Sequence, residues 1–443
     1  MAISLKVTPS SDLAPGDLFQ DDRVHRTVYT DPTIFDAEMD RIFGRTWLYV
    51  GHESEIGQTG DYKTTHMGLH PVIVSRSEDG GIHVLYNRCT HRAATVCQYD
   101  RGNSSFFRCD YHGWTFRNDG SLIGQTFASG YDPRDCDHAQ FDLVRVPRVA
   151  TYRGLIFASM AEEGPTLDEH LGNAKEFIDL FVDLSPVGEI EVTSGTHRYT
   201  YAGNWKLQSE NGVDGYHPNF VHQGFLSSAS RMAGSMGDLA MKLFHDSSPG
   251  HAADLGNGHG LLDSRPNIQP LLRELLPATD QGRAYLDVLA RRLGSPERAL
   301  EVASANGAGG FNLLVFPNLL IIGVQIRVVH PRAVDRTDVE LYPATLKGMP
   351  DDVNAGRLRG HESFYGPAGG GAPDDLEMFE RVQEGLRASA VPWLPLLRGR
   401  RRGRVDDHGV DWGHVTDEQP QRAFHRQWLR LMEEAGEDGE VPA

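Results

Sequence analysis

Apolar and polar positions change period twice along the chain. Near the start, Asp31 offers a helix cap and Pro32 a first helical position. Phe35, Met39, Ile42 and Phe43 then follow at i, i+4, i+7 and i+8, one apolar face of a short helix. From Trp47 to about Met160 the period shortens to that of strands. PVIVSR at 71–76, IHVLYN at 82–87, SFFRC at 105–109 and GLIFASM at 154–160 are separated by turn signals such as Asn118–Asp119–Gly120. This pattern predicts a small all-β module. Helical spacing returns at 167–184, and helices then mix with strands, including the apolar stretch 313–331. The Gly- and Pro-rich residues 366–373 read as a loop. A closing helix is expected near 417–432, with Phe424, Trp428 and Leu431 on one buried face. The fold class that follows is α+β, divided into an N-terminal helical segment at 1–45, a β module at 46–165 and a larger mixed unit at 166–443.

Composition adds limits. Of 443 residues, 39% are hydrophobic and 23% charged, which suits a globular chain of two or three domains. No apolar run approaches the ~18 residues of a membrane span. The opening MAISLKVTPSSDLAPGD lacks the apolar core of a signal peptide, so a cytoplasmic location is expected. A net charge of −18 repels phosphates and argues against nucleic-acid binding. The arginine-rich run at 398–404 reads as a solvated turn or a subunit contact, because Asp406 and Asp407 follow it. Four cysteines are too few for a disulfide framework. Cys97 and Cys136 read as buried small residues or idle thiols.

The other two cysteines carry chemistry. Cys89-Thr-His91 is followed seventeen residues later by Cys109-Asp-Tyr-His112. Zinc fingers tend to pair their cysteines first and their histidines last. Here each half supplies one Cys and one His, which suits a [2Fe–2S] cluster of the Rieske type, with one iron on two thiolates and the other on two imidazoles. Such a cluster moves electrons, and more than three hundred residues remain after it. The stretch 204–222, NWKLQSENGVDGYHPNFVH, offers an electron acceptor. On a helix Asp214 and His217 share a face, and Pro218 disturbs that helix so that His217 and His222 converge. Two histidines and a carboxylate make the facial triad of non-haem iron oxygenases. The carboxylate is Asp374 or Asp375, between which spacing alone does not choose.

With these motifs in this order, the chain resembles the large (α) subunits of Rieske non-haem iron aromatic-ring-hydroxylating dioxygenases over nearly its whole length. It is most similar to the benzoate/anthranilate branch at 199–217, 325–331 and 374–386. The resemblance implies an all-β Rieske domain plus a catalytic domain built on a large antiparallel sheet covered by helices. It implies Cys89, His91, Cys109 and His112 as cluster ligands. It implies His217, His222 and Asp375 as ligands of a mononuclear Fe(II), with Asp374 the fallback. Asp214 matches an aspartate that links His217 to a cluster histidine, His112, of a neighbouring chain, and Asn211 an asparagine near the iron. The partners implied are a small β subunit in an α3β3 assembly and a ferredoxin and/or flavin reductase supplying NADH-derived electrons. The reaction implied is cis-dihydroxylation by O2 of an aromatic ring, that of a benzoate-like carboxylic acid. A monooxygenase or demethylase, a dioxygenase of a neutral arene, and a plain Rieske electron carrier are the other readings. Arg327 is the candidate partner for the substrate carboxylate, on one strand face with Gln325 and Gly323. Gly369–Gly370–Gly371 are expected to leave room or mobility beside the pocket.

Overall fold

The computed structural model describes residues 14–132, 134, 138–233, 245–305 and 310–434, and Cys136 lies outside them. The chain divides into two compact units: Phe43–Leu167 with Glu191–Thr193, and the remainder.

The smaller unit is built from antiparallel strands. One sheet joins Ile82–Tyr86, His70–Arg76, Asp61–Met67 and Arg101–Asn103, and another joins Leu122–Gly124, Thr115–Arg117 and Phe106–Arg108. Ile73, Leu85, Phe107, Phe116 and Leu122 close a core that also takes in Cys89, Cys97 and Cys109. Burial pushes the Cys97 thiol up to about 12, so it is inert at neutral pH.

The larger unit carries the nine-stranded antiparallel sheet. Its strands are β1 (His197–Tyr201), β2 (His251–Gly256), β3 (His259–Asp263), β4 (Phe311–Val315), β5 (Leu319–Ile322), β6 (Gln325–Ala333), β7 (Arg336–Pro343), β8 (Arg404–Val405) and β9 (Asp411–His414). Their order across the sheet is β1-β7-β6-β5-β4-β3-β2-β9-β8. The apolar stretch 313–331 thus becomes the meander β4-β5-β6. Leu313, Leu314, Leu319, Leu320 and Ile326 are all fully buried, as expected of central strands covered on both faces.

Helices complete the unit: α1 (Pro32–Glu38), α2 (Trp205–Asn211), α3 (Pro218–Val221), α4 (Asp351–Tyr365), α5 (Ala372–Gly385) and α6 (Gln419–Glu434). Asp31 caps α1 by accepting from Thr33 N, with Pro32 in the first turn. α6 packs on β2 and β3 and buries Phe424 and Trp428 completely. Each contributes about 1.5–3 kcal/mol by leaving water. The loop expected at 366–373 ends earlier, because Ala372 and Pro373 already form the first turn of α5. The arginine-rich run is locally neutralised: Arg398 pairs with Asp246, Arg400 with Asp21 and Arg402 with Asp417. Among the described residues, no helix is long and apolar enough to cross a membrane.

Candidate metal centres and substrate cavity

In the smaller unit, two short loops hold the four cluster candidates and share one backbone design. Cys89 N donates to Ala94 O and Ala93 N to Cys89 O; Cys109 N donates to Trp114 O and Gly113 N to Cys109 O. Both loops turn on a positive φ four residues after the cysteine, 65° at Ala93 and 70° at Gly113. At Gly113 a Cβ would also lie 2.4 Å from Thr126 Oγ1, so glycine suits this position better than the alanine that the other loop accommodates at Ala93. The thiols of Cys89 and Cys109 are buried within hydrogen-bonding reach of each other. The imidazoles of His91 and His112 meet edge to face with ring centroids 4.6 Å apart. Thiols gathered on one side and imidazoles on the other match the donor set of a Rieske cluster. Trp114, which motif spacing did not single out, stacks on His91 at 4.8 Å and 6°.

In the larger unit, the stretch 204–222 sets up the second centre in three steps. The Asn204 side chain accepts from Lys206 N and caps α2. On the core side, Trp205 Nε1 and Lys206 Nζ both donate to Glu38, at 2.8 and 2.6 Å. Glu210 accepts from the Tyr29 hydroxyl at 2.7 Å and meets His425 Nε2 at 3.1 Å. The helix is therefore fixed, and Asn211 at its end is presented to the cavity.

The chain then departs from the helical expectation. Asp214 and His217 lie in an irregular turn, not on a helix face. The turn packs too closely for side chains: a Cβ on Gly212 would stand 2.1 Å from Leu320 Cδ2, and one on Gly215 2.1 Å from Val415 O. Pro218 does not disturb a helix here. It starts α3, with His217 at its N-cap and His222 at its C-cap, so a four-residue helix brings the two imidazoles together.

His217, His222 and Asp375 converge. His222 Nε2 is 3.3 Å and His217 Nε2 3.6 Å from Asp375 Oδ1, and one donor atom from each residue falls within 4.8 Å of the other two. Asn211 Nδ2 donates to Asp375 Oδ1 at 3.2 Å and lies 3.2 Å from His217 Nε2. Asp214 Oδ2 faces His217 Nδ1 at 3.3 Å. Asp375 is buried in the first turn of α5, while its neighbour Asp374 is exposed.

Burial alone would raise the Asp375 carboxyl. The hydrogen bond from His222 and the charges of His217, His222 and Arg327 outweigh it and hold Asp375 below the usual carboxylate range. Burial likewise opposes protonation of His217, but its bond to Asp214 and the charges of Asp214 and Asp375 overcome this and raise it. A buried carboxylate and two imidazoles that together attract positive charge have the donor set and polarity of a divalent-cation site.

Gly215→Ala is expected to shift the Asp214–His217 turn, since a backbone carbonyl blocks the added methyl. Iron bound in the larger unit and turnover should each fall at least ~10-fold. The cluster absorbance should be unchanged, and metal analysis with visible spectroscopy checks both.

A cavity of about 670 Å³ opens beside the three donors, lined by residues of α4, the β5–β6 turn and the segment 211–226. Arg327, on β6, lines it at 3% exposure. Its guanidinium lies 5.2 Å over the Tyr365 ring, and it has no ion pair among the described residues. Gly323, in the turn before β6, lines the cavity with Arg327, whereas Gln325 is buried away from the lining. Gly370 and Gly371 do not leave room: their missing side chains are replaced by the rings of Phe225 and Phe364, 2.5 and 2.2 Å from where a Cβ would be. Helix α4 was not singled out from sequence, yet it contributes Gly356, Arg357, Gly360, His361, Phe364 and Tyr365 to the lining. The available signal was two rows at i, i+4, i+8: Gly356–Gly360–Phe364 and Arg357–His361–Tyr365.

Comparison with known proteins finds two domain families along the chain. Residues 46–132 match the Rieske [2Fe-2S] domain, and residues 191–434 match the catalytic domain of the ring hydroxylating alpha subunit. The 2-halobenzoate 1,2-dioxygenase large subunit of Burkholderia cepacia is 36% identical, over 85% of this chain and 80% of its own length. The anthranilate 1,2-dioxygenase large subunit of Acinetobacter baylyi is 35% identical, over 93% of this chain and 89% of its own. Among solved structures, naphthalene 1,2-dioxygenase from Rhodococcus sp. bound to indole superposes with a TM-score of 0.79 at 27% identity, covering 93% of this chain and 94% of that one.

Proposed function

Because this chain belongs to the ring-hydroxylating alpha-subunit family and is a Rieske-type aromatic-ring-hydroxylating dioxygenase, we propose that it cis-dihydroxylates the ring of an aromatic carboxylic acid. The observation that carries the substrate class is Arg327, a buried cation that makes no ion pair among the described residues and feels Asp375 only at longer range, in the cavity beside the His217–His222–Asp375 cluster. An unpaired buried charge is costly, and a ligand carboxylate relieves that cost with charge-assisted hydrogen bonds. Of the three proteins compared above, the two at 36% and 35% identity are named for halobenzoate and anthranilate, both aromatic acids.

In this reading Cys89, His91, Cys109 and His112 hold the [2Fe–2S] cluster, and His217, His222 and Asp375 hold a single Fe(II). When bound, these groups supply electron transfer and activation of O2 for addition to an arene. The protein's own residues do the placing. Asp214 orients His217 through Nδ1 and leaves Nε2 for the metal. Its carboxylate is one-third exposed and can accept a hydrogen bond from His112 of a neighbouring chain. Asn211 donates to Asp375 Oδ1 and holds that carboxylate in place; its other neighbour, His217 Nε2, is the atom left for the metal. Arg327 fixes the acid group and so the ring edge presented to the reacting side, while Phe364 and Leu226 keep the cavity apolar and dry. NADH is the electron source through a reductase, directly or via a ferredoxin, and a small β subunit completes an α3β3 assembly.

The test is turnover of benzoate and its ring-substituted analogues under 18O2, with NADH and a reductase. A cis-diol carrying both labelled atoms is the expected product. One labelled atom would mean monooxygenation, and conversion restricted to neutral arenes would remove the acid.

A further inference from the structure

The cavity holds a second unpaired cation. Arg357 lines it from α4, its Nε and Nη2 are buried without hydrogen-bond partners, and it has no ion pair among the described residues. Burial lowers its pKa to about 10, and the group nearest in charge is the Tyr285 hydroxyl, itself donating to Leu184 O at 2.7 Å. Arg327 lies over the Tyr365 ring, two turns along α4 from Arg357, so the two arginines occupy different parts of the space. The charge of Arg327 acts on Asp375, Tyr199 and Tyr365, close to the metal donors. Arg357 acts on Tyr285 instead. One carboxylate beside the metal donors therefore leaves Arg357 uncompensated.

The same helix face makes room between them. Gly356 and Gly360 lie one turn apart inside α4, where glycine is a poor helix former. A Cβ on Gly360 would meet nothing within 4 Å, and one on Gly356 only the end of Arg359 at 3.9 Å. Neither glycine is needed for a backbone turn or a close approach; both are exposed residues of the cavity lining with open space beside them. A volume near 670 Å³ is within the range of about 300–1,000 Å³ that holds drug-sized ligands, more than a single-ring acid fills.

We propose that Arg357 is a second anion-binding residue and that this site takes aromatic acids bearing another anionic group remote from the first. Gly356 and Gly360 clear the span between Arg327 and Arg357. This rests on the aromatic-acid reading above and narrows it.

The test is anaerobic titration calorimetry on the full chain carrying its cluster and iron. Matched probes are benzoate against benzene-1,4-dicarboxylate, and 2-naphthoate against naphthalene-2,6-dicarboxylate. In the unmutated protein at least one diacid is expected to bind ~10-fold or more tightly than its monoacid, the scale of one charge-assisted contact. Arg357→Met should erase that ratio and change monoacid binding less than ~3-fold, while Arg327→Met should weaken monoacids and diacids alike. Gly360→Leu, which keeps both charges, should weaken the naphthalene acids ~10-fold and benzoate little. If monoacids bind but no diacid binds more tightly, or the ratio survives Arg357→Met, the second anion site is wrong and the aromatic-acid reading stands. If no acid binds while naphthalene does, both fall. The ratio in the unmutated protein decides the matter even if Arg357→Met fails to fold.

Discussion

Asp375→Ala is expected to abolish turnover, by about 10³-fold or more, through loss of the mononuclear iron. Asp375 supplies the sole carboxylate of the buried donor set, and both His217 and His222 point their Nε2 at its Oδ1. Without it two imidazoles remain, a set with weaker hold on Fe(II) and no compensating negative charge. Asp374 cannot take its place. It is one residue away in the same helical turn, which rotates it by about 100° and leaves it exposed. Asp374→Ala should accordingly keep iron and activity, with at most a small loss of favourable charge at the start of α5. Iron analysis and O2 uptake on the two variants separate the adjacent residues. The cluster spectrum serves as the internal control, since Asp375 lies outside the unit that holds Cys89 and His91. An Asp375→Ala protein with full iron and normal turnover would exclude it as a ligand.

The second large effect is on stability. Lys206→Met should destabilise the larger unit by about 3–5 kcal/mol, because it strands Glu38 as an uncompensated buried charge. Both side chains are fully buried, 2.6 Å apart. Glu38 also accepts from Trp205 and Trp428, so one carboxylate ties α1, α2 and α6 together. Burial pulls the Lys206 pKa down while Glu38, and to a lesser degree Glu210, pull it back, and the rings of Trp205 and Tyr29 flank the ammonium at 5.0 and 5.6 Å. The double variant Glu38→Gln/Lys206→Met should recover part of the loss: no buried charge remains, but the amide oxygen can accept from only one of the two indoles, which bond different oxygens of Glu38. Thermal inactivation of the unmutated, single and double proteins measures this. Equal destabilisation by the single and double variants would mean that packing, not charge, is what the pair contributes. The outcome bears on function as well, since α2 ends at Asn211, the first residue of the metal centre.

What could be read from the chain depended on how local each signal is. Cys89, His91, Cys109 and His112 sit in two short loops whose spacing states the donor set, and His217 and His222 are five residues apart. The strands of the smaller unit follow from period-2 runs between turn residues, and the meander β4-β5-β6 from one apolar stretch. Asp375 is far along the chain from the histidines, and only the resemblance to a family pointed to it. The local geometry around the histidines was misread for a physical reason. Helical spacing joins Asp214 to His217, but α2 ends at Asn211 and the chain runs on as a turn packed so close to Leu320 and Val415 that Gly212 and Gly215 have no room for a side chain. Arg327 was visible as a cation on an apolar strand. Arg357 was not, since an arginine on a mixed helix looks the same whether its partner is an acid, water or a ligand. That distinction is tertiary and emerges only once α4 is laid against the cavity.

The central claim is two iron centres in one chain, a cluster in the smaller unit and a single iron in the larger. The most direct measurement is iron and acid-labile sulfide per chain on protein purified without air, with EPR of the reduced form. The account predicts about three irons and about two sulfides, with a Rieske-type signal. About two irons and two sulfides that do not rise after Fe(II) reconstitution would remove the mononuclear centre and leave an electron carrier. Zinc in place of both would overturn the account entirely.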